Sequence, residues 1–125
     1  MPKTTILTDA LPNLPWEDRP AGNTDVLWRY SGNPVIGWNP TPTTARIYNS
    51  AVVPFGEGFA GVFRADHRTG TSALHVGFSS DGLRWDVADE PIRWIDEAGE
   101  PFQPRYAYDP RVTRIGGRYF VCWCV

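Results

Sequence analysis

The chain has only two cysteines, Cys122 and Cys124, and they stand two residues apart. In a β-strand this spacing puts both side chains on the same face, where they cannot easily form a disulfide with each other. Two thiolates supply only half of a structural zinc site, and neither histidine lies near them in the sequence. We therefore expect buried free thiols, no metal and a reducing, cytoplasmic location.

An excess of charge of one sign and a long apolar run are also missing. The 12 basic and 14 acidic residues leave a net charge of −2, so no nucleic-acid partner is indicated. The N-terminus lacks the apolar core of a signal peptide, and no apolar run could span a bilayer, so no membrane association is expected. A Gly-rich phosphate loop and a Ser-His-Asp signature are absent as well.

Turn-forming residues are plentiful by contrast, with 12 glycines and 12 prolines. Prolines interrupt the first 35 residues repeatedly, which excludes a long helix there. We therefore predict an extended N-terminal arm over residues 1–35, and essentially no α-helix anywhere in the chain.

A repeat with a period of 60 residues is the most informative pattern. Residues 49–63 read as an apolar strand, a Gly turn and a second apolar strand, and residues 109–123 repeat this pattern. Each copy is typical of a β-hairpin, and hairpin repeats of this period predict the blades of a β-propeller. Asn49 and Asp109 fall at the same point of their repeats, which suggests a polar site on the propeller axis.

The first unit matches one four-stranded propeller blade. Its predicted strands are 46–54, 57–66, 72–79 and an outer strand at 85–94 that Pro91 interrupts. A loop at 95–104 then leads into the second repeat. We therefore predict an all-β fold in which an incomplete propeller domain covers 36–125, with the first blade at about 45–95 and the second beginning near 105.

Two units are too few for a propeller, which generally closes with four to eight blades. The sequence also stops inside an apolar, aromatic strand, which would leave an open edge prone to aggregation. We therefore expect the chain to be the N-terminal part of a longer enzyme, and residues 1–125 alone to be catalytically inactive.

Asp109 is the best candidate for an acid catalyst. It lies among aromatic residues, before a strand and next to Pro110, so it would be held rigidly and partly shielded from water, as suits a general acid. The alternative is an Asx-turn residue that closes a blade loop.

Arg64 and Asp66 form a second candidate cluster, because alternate residues of a strand share a face. An arginine beside a carboxylate offers fixed donors and acceptors for sugar hydroxyls. The alternative is a solvated hairpin end. His67 is expected to be exposed, and His75 is either a site residue or a packed or edge histidine.

Several segments in the same order resemble glycoside hydrolase family 130, most closely its β-1,4-mannooligosaccharide and mannosyl-N-acetylglucosamine phosphorylases. The segments are 15–22, 25–29, 49–56, 58–64, 74–79 and 108–112. The resemblance runs from Pro15 to Val125 and implies a five-bladed β-propeller, of which this chain would hold about the first blade and the start of the second.

The resemblance also implies a mechanism. The family's general acid is the aspartate of a Tyr-Asp-Pro-Arg motif, which corresponds to Asp109. It would pass its proton to the glycosidic oxygen through a mannose hydroxyl, while inorganic phosphate attacks the anomeric carbon from the opposite face and gives α-mannose 1-phosphate. Phosphate would be a co-substrate with no cofactor, and no second carboxyl is needed, whereas an inverting hydrolase needs one to activate water.

Sugar-binding roles follow from the same resemblance. Asn49, Ser50 and Arg64 match residues that bind mannose in the cleaved position. Tyr108 would help to form the adjacent subsite, and Asp66 matches a Phe-Arg-x-Asp pattern. The family's phosphate ligands would lie beyond the last residue of this chain, and members without those ligands hydrolyse β-1,2-mannosides.

We therefore expect an enzyme of carbohydrate metabolism that cleaves a mannose-containing oligosaccharide with phosphate. The alternatives are a β-mannoside hydrolase on the same propeller, which would need a second carboxylate across the channel, and a non-catalytic sugar-binding propeller. Homo-oligomerisation of the complete enzyme is left open.

Overall fold

The computed structural model describes residues 17–125, and this part of the chain is all-β, as predicted. The eight strands are β1 (Thr44–Phe55), β2 (Gly58–His67), β3 (Ser72–Ser79), β4 (Asp86–Val87), β5 (Trp94–Ile95), β6 (Pro101–Phe102), β7 (Tyr108–Ile115) and β8 (Arg118–Cys124). Residues 17–43 contain no helix or strand, and residues 1–16 of the predicted arm lie outside the described part. Within residues 17–125, no helix is long and apolar enough to cross a membrane.

The first four strands form one antiparallel sheet in the order β1-β2-β3-β4. The first three strands lie within two residues of their predicted bounds. Gly56 has a φ of 58° in the turn between β1 and β2, a conformation that glycine adopts without steric cost. The period-2 pattern and the Gly turn therefore predicted these elements correctly.

The predicted outer strand at 85–94 is confirmed only in part, because β4 is the outer strand of the sheet but pairs with β3 over just two residues. Beyond β4 the chain keeps isolated bonds to β3, such as Ile92 N to Leu74 O at 2.8 Å, and Pro91 interrupts them because it has no N–H. The predicted loop at 95–104 is also partly wrong. It contains the hairpin of β5 and β6, whose turn is fixed by Asp96, since its Oδ1 accepts hydrogen bonds from two backbone amides.

The second hairpin, β7–β8, repeats the pairing of β1–β2 with an offset of 60 residues. Tyr48 pairs with Arg64 as Tyr108 pairs with Cys124, and both hairpins have a register shift directly after that pair. Further equivalent pairs include Ala51↔Val62 and Arg111↔Cys122, Val52↔Gly61 and Val112↔Val121, and Phe55↔Gly58 and Ile115↔Arg118. The repeat read from the sequence is therefore present in the backbone.

One buried cluster lies where the β7–β8 hairpin packs against the first sheet. Val62, Leu74 and Ala107 are its buried members. The side chains packed against them are Ile92, Trp94, Val112, Val121 and Trp123. Burying a Val or Leu side chain contributes about 1.5–3 kcal/mol. This packing fixes the β7–β8 hairpin against the first sheet.

The two cysteines share one face of β8, as predicted, but they are exposed rather than buried. Alternate residues of a strand face opposite sides, and in β8 the core side is taken by Val121 and Trp123. The cysteines therefore fall on the outer side.

Candidate functional site

Two equivalent β-bulges bring the predicted acid and the predicted amide together. Asn49 and Asp109 both have positive φ angles, 38° and 52°, and each follows the pair at which its hairpin register shifts. Asn and Asp tolerate this region better than other non-glycine residues. Asn49 Nδ2 donates a hydrogen bond to Asp109 Oδ1 at 2.5 Å. The equivalent residues of the two copies of the repeat are therefore in direct contact.

The second oxygen of Asp109 has no partner in residues 17–125. The side chain is half-buried, and the following Pro110 is fully buried, which fixes the backbone beside the carboxyl. Arg111 does not pair with it, because its Nη1 donates to the Pro110 carbonyl at 2.8 Å. Asp109 thus has one oxygen held by an amide and one that can carry a proton.

Arg64 lies between the rings of Tyr48 and Tyr108, which are equivalent residues of the two hairpins. Its Cζ is 5.6 Å from the centre of the Tyr48 ring and 5.8 Å from that of the Tyr108 ring. Contacts of this kind contribute about 0.5–2 kcal/mol each. The register of the two hairpins therefore positions the guanidinium beside the residue that precedes Asp109.

Arg64 and Asp66 share a face of β2, as predicted, and form an ion pair with Nε and Oδ1 3.4 Å apart. These two atoms are shielded from water and lack the geometry of a hydrogen bond. The side chains are nevertheless 29% and 28% exposed, so their exposed parts lie elsewhere. Other donors of Arg64 remain available to a ligand.

Ser50 lies apart from the other candidates. Its Oγ is 3.5 Å from the Tyr48 carbonyl, and within the described residues no hydrogen bond joins it to the other predicted site residues. It lines a cleft of about 550 Å³ whose walls are mostly apolar, including Phe59 and Trp85. The structure therefore groups Asn49 with Asp109, and Arg64 with Asp66 and Tyr108, but leaves Ser50 separate.

The two histidines form a partly buried pair that the sequence did not predict. His67 is half-buried rather than exposed, and its Nε2 lies 2.7 Å from Nε2 of the fully buried His75. His75 Nδ1 lies 2.9 Å from the Ala88 carbonyl, so it carries the proton that this bond needs. Burial lowers the pKa of His75. His75 is thus a packed histidine, one of the two alternatives.

Three side chains that lie beside the site, Trp38, Arg46 and Tyr48, were not predicted from the sequence. The Arg46 guanidinium lies between Trp38 and Tyr48, at 5.2 Å and 5.8 Å from their ring centres. These residues match no short motif, because Trp38 comes from an irregular segment and the other two from β1. Across residues 17–125, no group of three or more His, Cys, Asp or Glu side chains could hold a metal ion.

Comparison with known proteins agrees with the resemblance seen in the motifs. The family model of glycoside hydrolase family 130, described as β-1,4-mannooligosaccharide phosphorylase, matches residues 8–125. A β-1,4-mannooligosaccharide phosphorylase from Ruminococcus albus is 46% identical over 131 residues, which cover 98% of this chain. The chain spans 38% of the length of that relative. The chain belongs to glycoside hydrolase family 130.

Proposed function

We propose that the protein is a phosphorylase that cleaves β-1,4-linked mannosides with inorganic phosphate. The observation that carries the proposal is the contact between Asn49 and Asp109, which holds one carboxyl oxygen and leaves the other for a proton. The proposal also draws on the relative from Ruminococcus albus, a β-1,4-mannooligosaccharide phosphorylase. The proposed reaction takes a mannose-containing oligosaccharide and phosphate as substrates and needs no cofactor.

Asp109 acts as the general acid in this proposal. Its proton reaches the glycosidic oxygen through a hydroxyl of the sugar, so the bond from the anomeric carbon to that oxygen breaks without expelling an alkoxide. A phosphate oxygen forms a bond to the anomeric carbon from the opposite face, and the product is α-mannose 1-phosphate. Asn49 keeps donating to the carboxylate left on Asp109, which stabilises its negative charge.

Arg64, Asp66 and Tyr108 bind the sugar in this proposal. The ring of Tyr108 and the guanidinium beside it give an apolar surface next to fixed donors, which suits a pyranose with C–H groups and hydroxyls on different sides. Ser50 is the least supported member of the set, because its contacts lie with Tyr48 and an apolar cleft.

A cytoplasmic location is part of the proposal. Cys122 and Cys124 are free and exposed, and exposed thiols persist best in a reducing compartment.

The deciding experiment incubates the full-length gene product with mannobiose, with and without phosphate. We expect α-mannose 1-phosphate to form only when phosphate is present, and free mannose to arise from the other half of the disaccharide. Phosphorus NMR identifies the phosphorylated product and its anomeric configuration.

Two other results would contradict the proposal. Equal release of mannose with and without phosphate would indicate the hydrolase. Binding of mannobiose without turnover under either condition would indicate a sugar-binding protein.

A further inference from the structure

A second cleft adjoins the candidate site, and the proposed reaction makes no use of it. It has a volume of about 140 Å³. Trp38, Arg46 and Tyr48 line it together with apolar residues such as Pro34 and Ile36. The cleft therefore combines two aromatic rings and one cation in an otherwise apolar wall.

Within residues 17–125, the side chains of this cleft keep much of their surface exposed to solvent. Trp38 is 72% exposed and Tyr48 is 39% exposed, although burying rings of this size is favourable. Arg46 lies against both rings and is itself exposed, and within residues 17–125 it takes part in no ion pair. Its N–H donors can therefore reach a ligand that also covers the rings.

The loop that carries Trp38 is fixed in place. Asn39 has a φ of 55°, and its N–H donates to the Ala45 carbonyl at 2.9 Å, which ties the loop to β1. Further along, Thr43 N donates to Asp89 Oδ1 at 2.9 Å. Hydrogen bonds from Thr41 and Thr43 lower the pKa of Asp89 to about 2, so this anchor stays charged near neutral pH. A ligand in the cleft would not have to order the loop.

The cleft is continuous with the candidate site through one ring. Tyr48 contacts Arg46 on the cleft side, and it also contacts Arg64, which in turn contacts Tyr108. Aromatic and cationic groups therefore alternate from Trp38 to the residue that precedes Asp109. An oligosaccharide that is bound at Arg64 and extends into this cleft would gain one further contact surface of the same kind.

We infer that the cleft of Trp38, Arg46 and Tyr48 is a further subsite for a neutral sugar unit of the oligosaccharide. The ring faces would pack against the C–H groups of the sugar, and Arg46 would donate to its hydroxyls. A small inorganic anion fits less well, because it would leave the rings and the apolar wall uncovered. The inference rests on the proposed function only because it takes the ligand to be an oligosaccharide. It does not depend on the proposed reaction.

Calorimetric titration of the full-length gene product tests this subsite without phosphate, with mannobiose and mannotetraose as ligands. We expect mannotetraose to bind about tenfold more tightly than mannobiose, the equivalent of one further contact of about 1.4 kcal/mol. Trp38→Ala and Arg46→Ala should each bring that ratio close to one and leave the affinity for mannobiose unchanged. Phe102→Ala removes another exposed ring, on β6, and should keep the ratio.

The results separate the subsite from the reaction. A wild-type protein without a preference for mannotetraose, or without binding of it, would overturn the subsite, and so would a Trp38→Ala protein that retains the preference. Loss of the preference in both variants supports the subsite, even if phosphate-dependent cleavage is not found and the proposed function fails. Phosphate-dependent cleavage of mannobiose without tighter binding of mannotetraose would support the proposed function but contradict the subsite.

Discussion

Asn49 and Asp109 occupy the same backbone position in two copies of one hairpin, yet they differ in chemistry. One side chain is an amide that can donate a hydrogen bond, and the other is an acid that can accept it. The alignment of the repeat predicted the equivalence of the two positions. It could not predict their contact, because this depends on how the two hairpins pack on each other and on the bulge in each of them.

Replacing Asn49 tests the support that it gives to Asp109. Asn49→Ala removes a hydrogen bond to a charged group, a contact that contributes about 1.5–3 kcal/mol. We expect kcat for phosphorolysis of mannobiose to fall by about 10- to 100-fold. The melting temperature should fall as well, because alanine fits the positive φ of residue 49 less well than asparagine. Asn23→Ala removes a half-buried amide outside the site and should keep kcat. Unchanged kcat in Asn49→Ala would show that the acid works without this donor.

Replacing Arg64 tests whether its planar shape matters as well as its charge. Arg64→Lys keeps the positive charge but loses the flat group that lies between Tyr48 and Tyr108. We expect KM for mannobiose to rise about tenfold or more, because hydroxyl groups of the sugar lose fixed donors. Arg114→Lys is the matched control, since Arg114 also lies over a tyrosine ring, that of Tyr119. An equal effect in both variants would contradict the assigned role.

The elements were predictable where turn residues and period-2 alternation agreed. Gly turns follow β1 and β7, and both predicted hairpins form around them. The region from 85 to 104 was not predictable in this way, because its strands are only two residues long and depend on side-chain bonds. Asp96 closes the β5–β6 hairpin, and Pro91 prevents a continuous partner for β3.

The histidine pair links β2 to β3 and makes stability depend on pH. Burial lowers the pKa of His75 from its usual value of 6.5, so below that pH the unfolded chain binds a proton that the folded protein does not take up. His67 also disfavours the charged form, whereas Ala88, Asp89 and Glu90 favour it, but burial outweighs them. We therefore expect the free energy of unfolding to fall as the pH drops below about 6.5, by at most about 1.4 kcal/mol per pH unit.

Urea unfolding of the full-length gene product at pH values from about 5 to about 7.5 measures this dependence. His75→Gln removes the titrating group and should give a protein that is less stable at neutral pH but loses less stability on acidification. Both proteins contain the same carboxyl groups. The difference between their slopes of unfolding free energy against pH therefore measures the contribution of His75. Parallel slopes would mean that His75 has the same pKa in the folded and the unfolded protein, which would contradict the lowered pKa.

At the scale of the whole molecule, the stacked hairpins explain why residues 60 positions apart share a site. Phe55 packs on Phe78 and Tyr119 at ring distances of 5.6 and 5.5 Å, and the Tyr119 hydroxyl donates to the Pro54 carbonyl. These contacts hold β7–β8 across the first sheet. The all-β class and the family were predictable from the sequence, whereas the five-bladed propeller stays a prediction, because the chain spans 38% of its relative.

The central claim is that Asp109 donates the proton in phosphorolysis of a β-mannoside. The most direct measurement compares Asp109→Asn with the wild-type full-length protein on two substrates in the presence of phosphate. One is mannobiose, whose leaving sugar needs a proton, and the other is an aryl β-mannoside with a strongly acidic phenol, which needs none. Asp86→Asn changes an exposed carboxyl of β4 and serves as the control.

We predict that Asp109→Asn lowers kcat on mannobiose by about 10²- to 10⁴-fold, the usual contribution of a general acid. On the aryl mannoside, the same variant should keep most of its activity. Equal losses on both substrates, or a variant that retains full activity on mannobiose, would contradict the assignment of Asp109 as the acid.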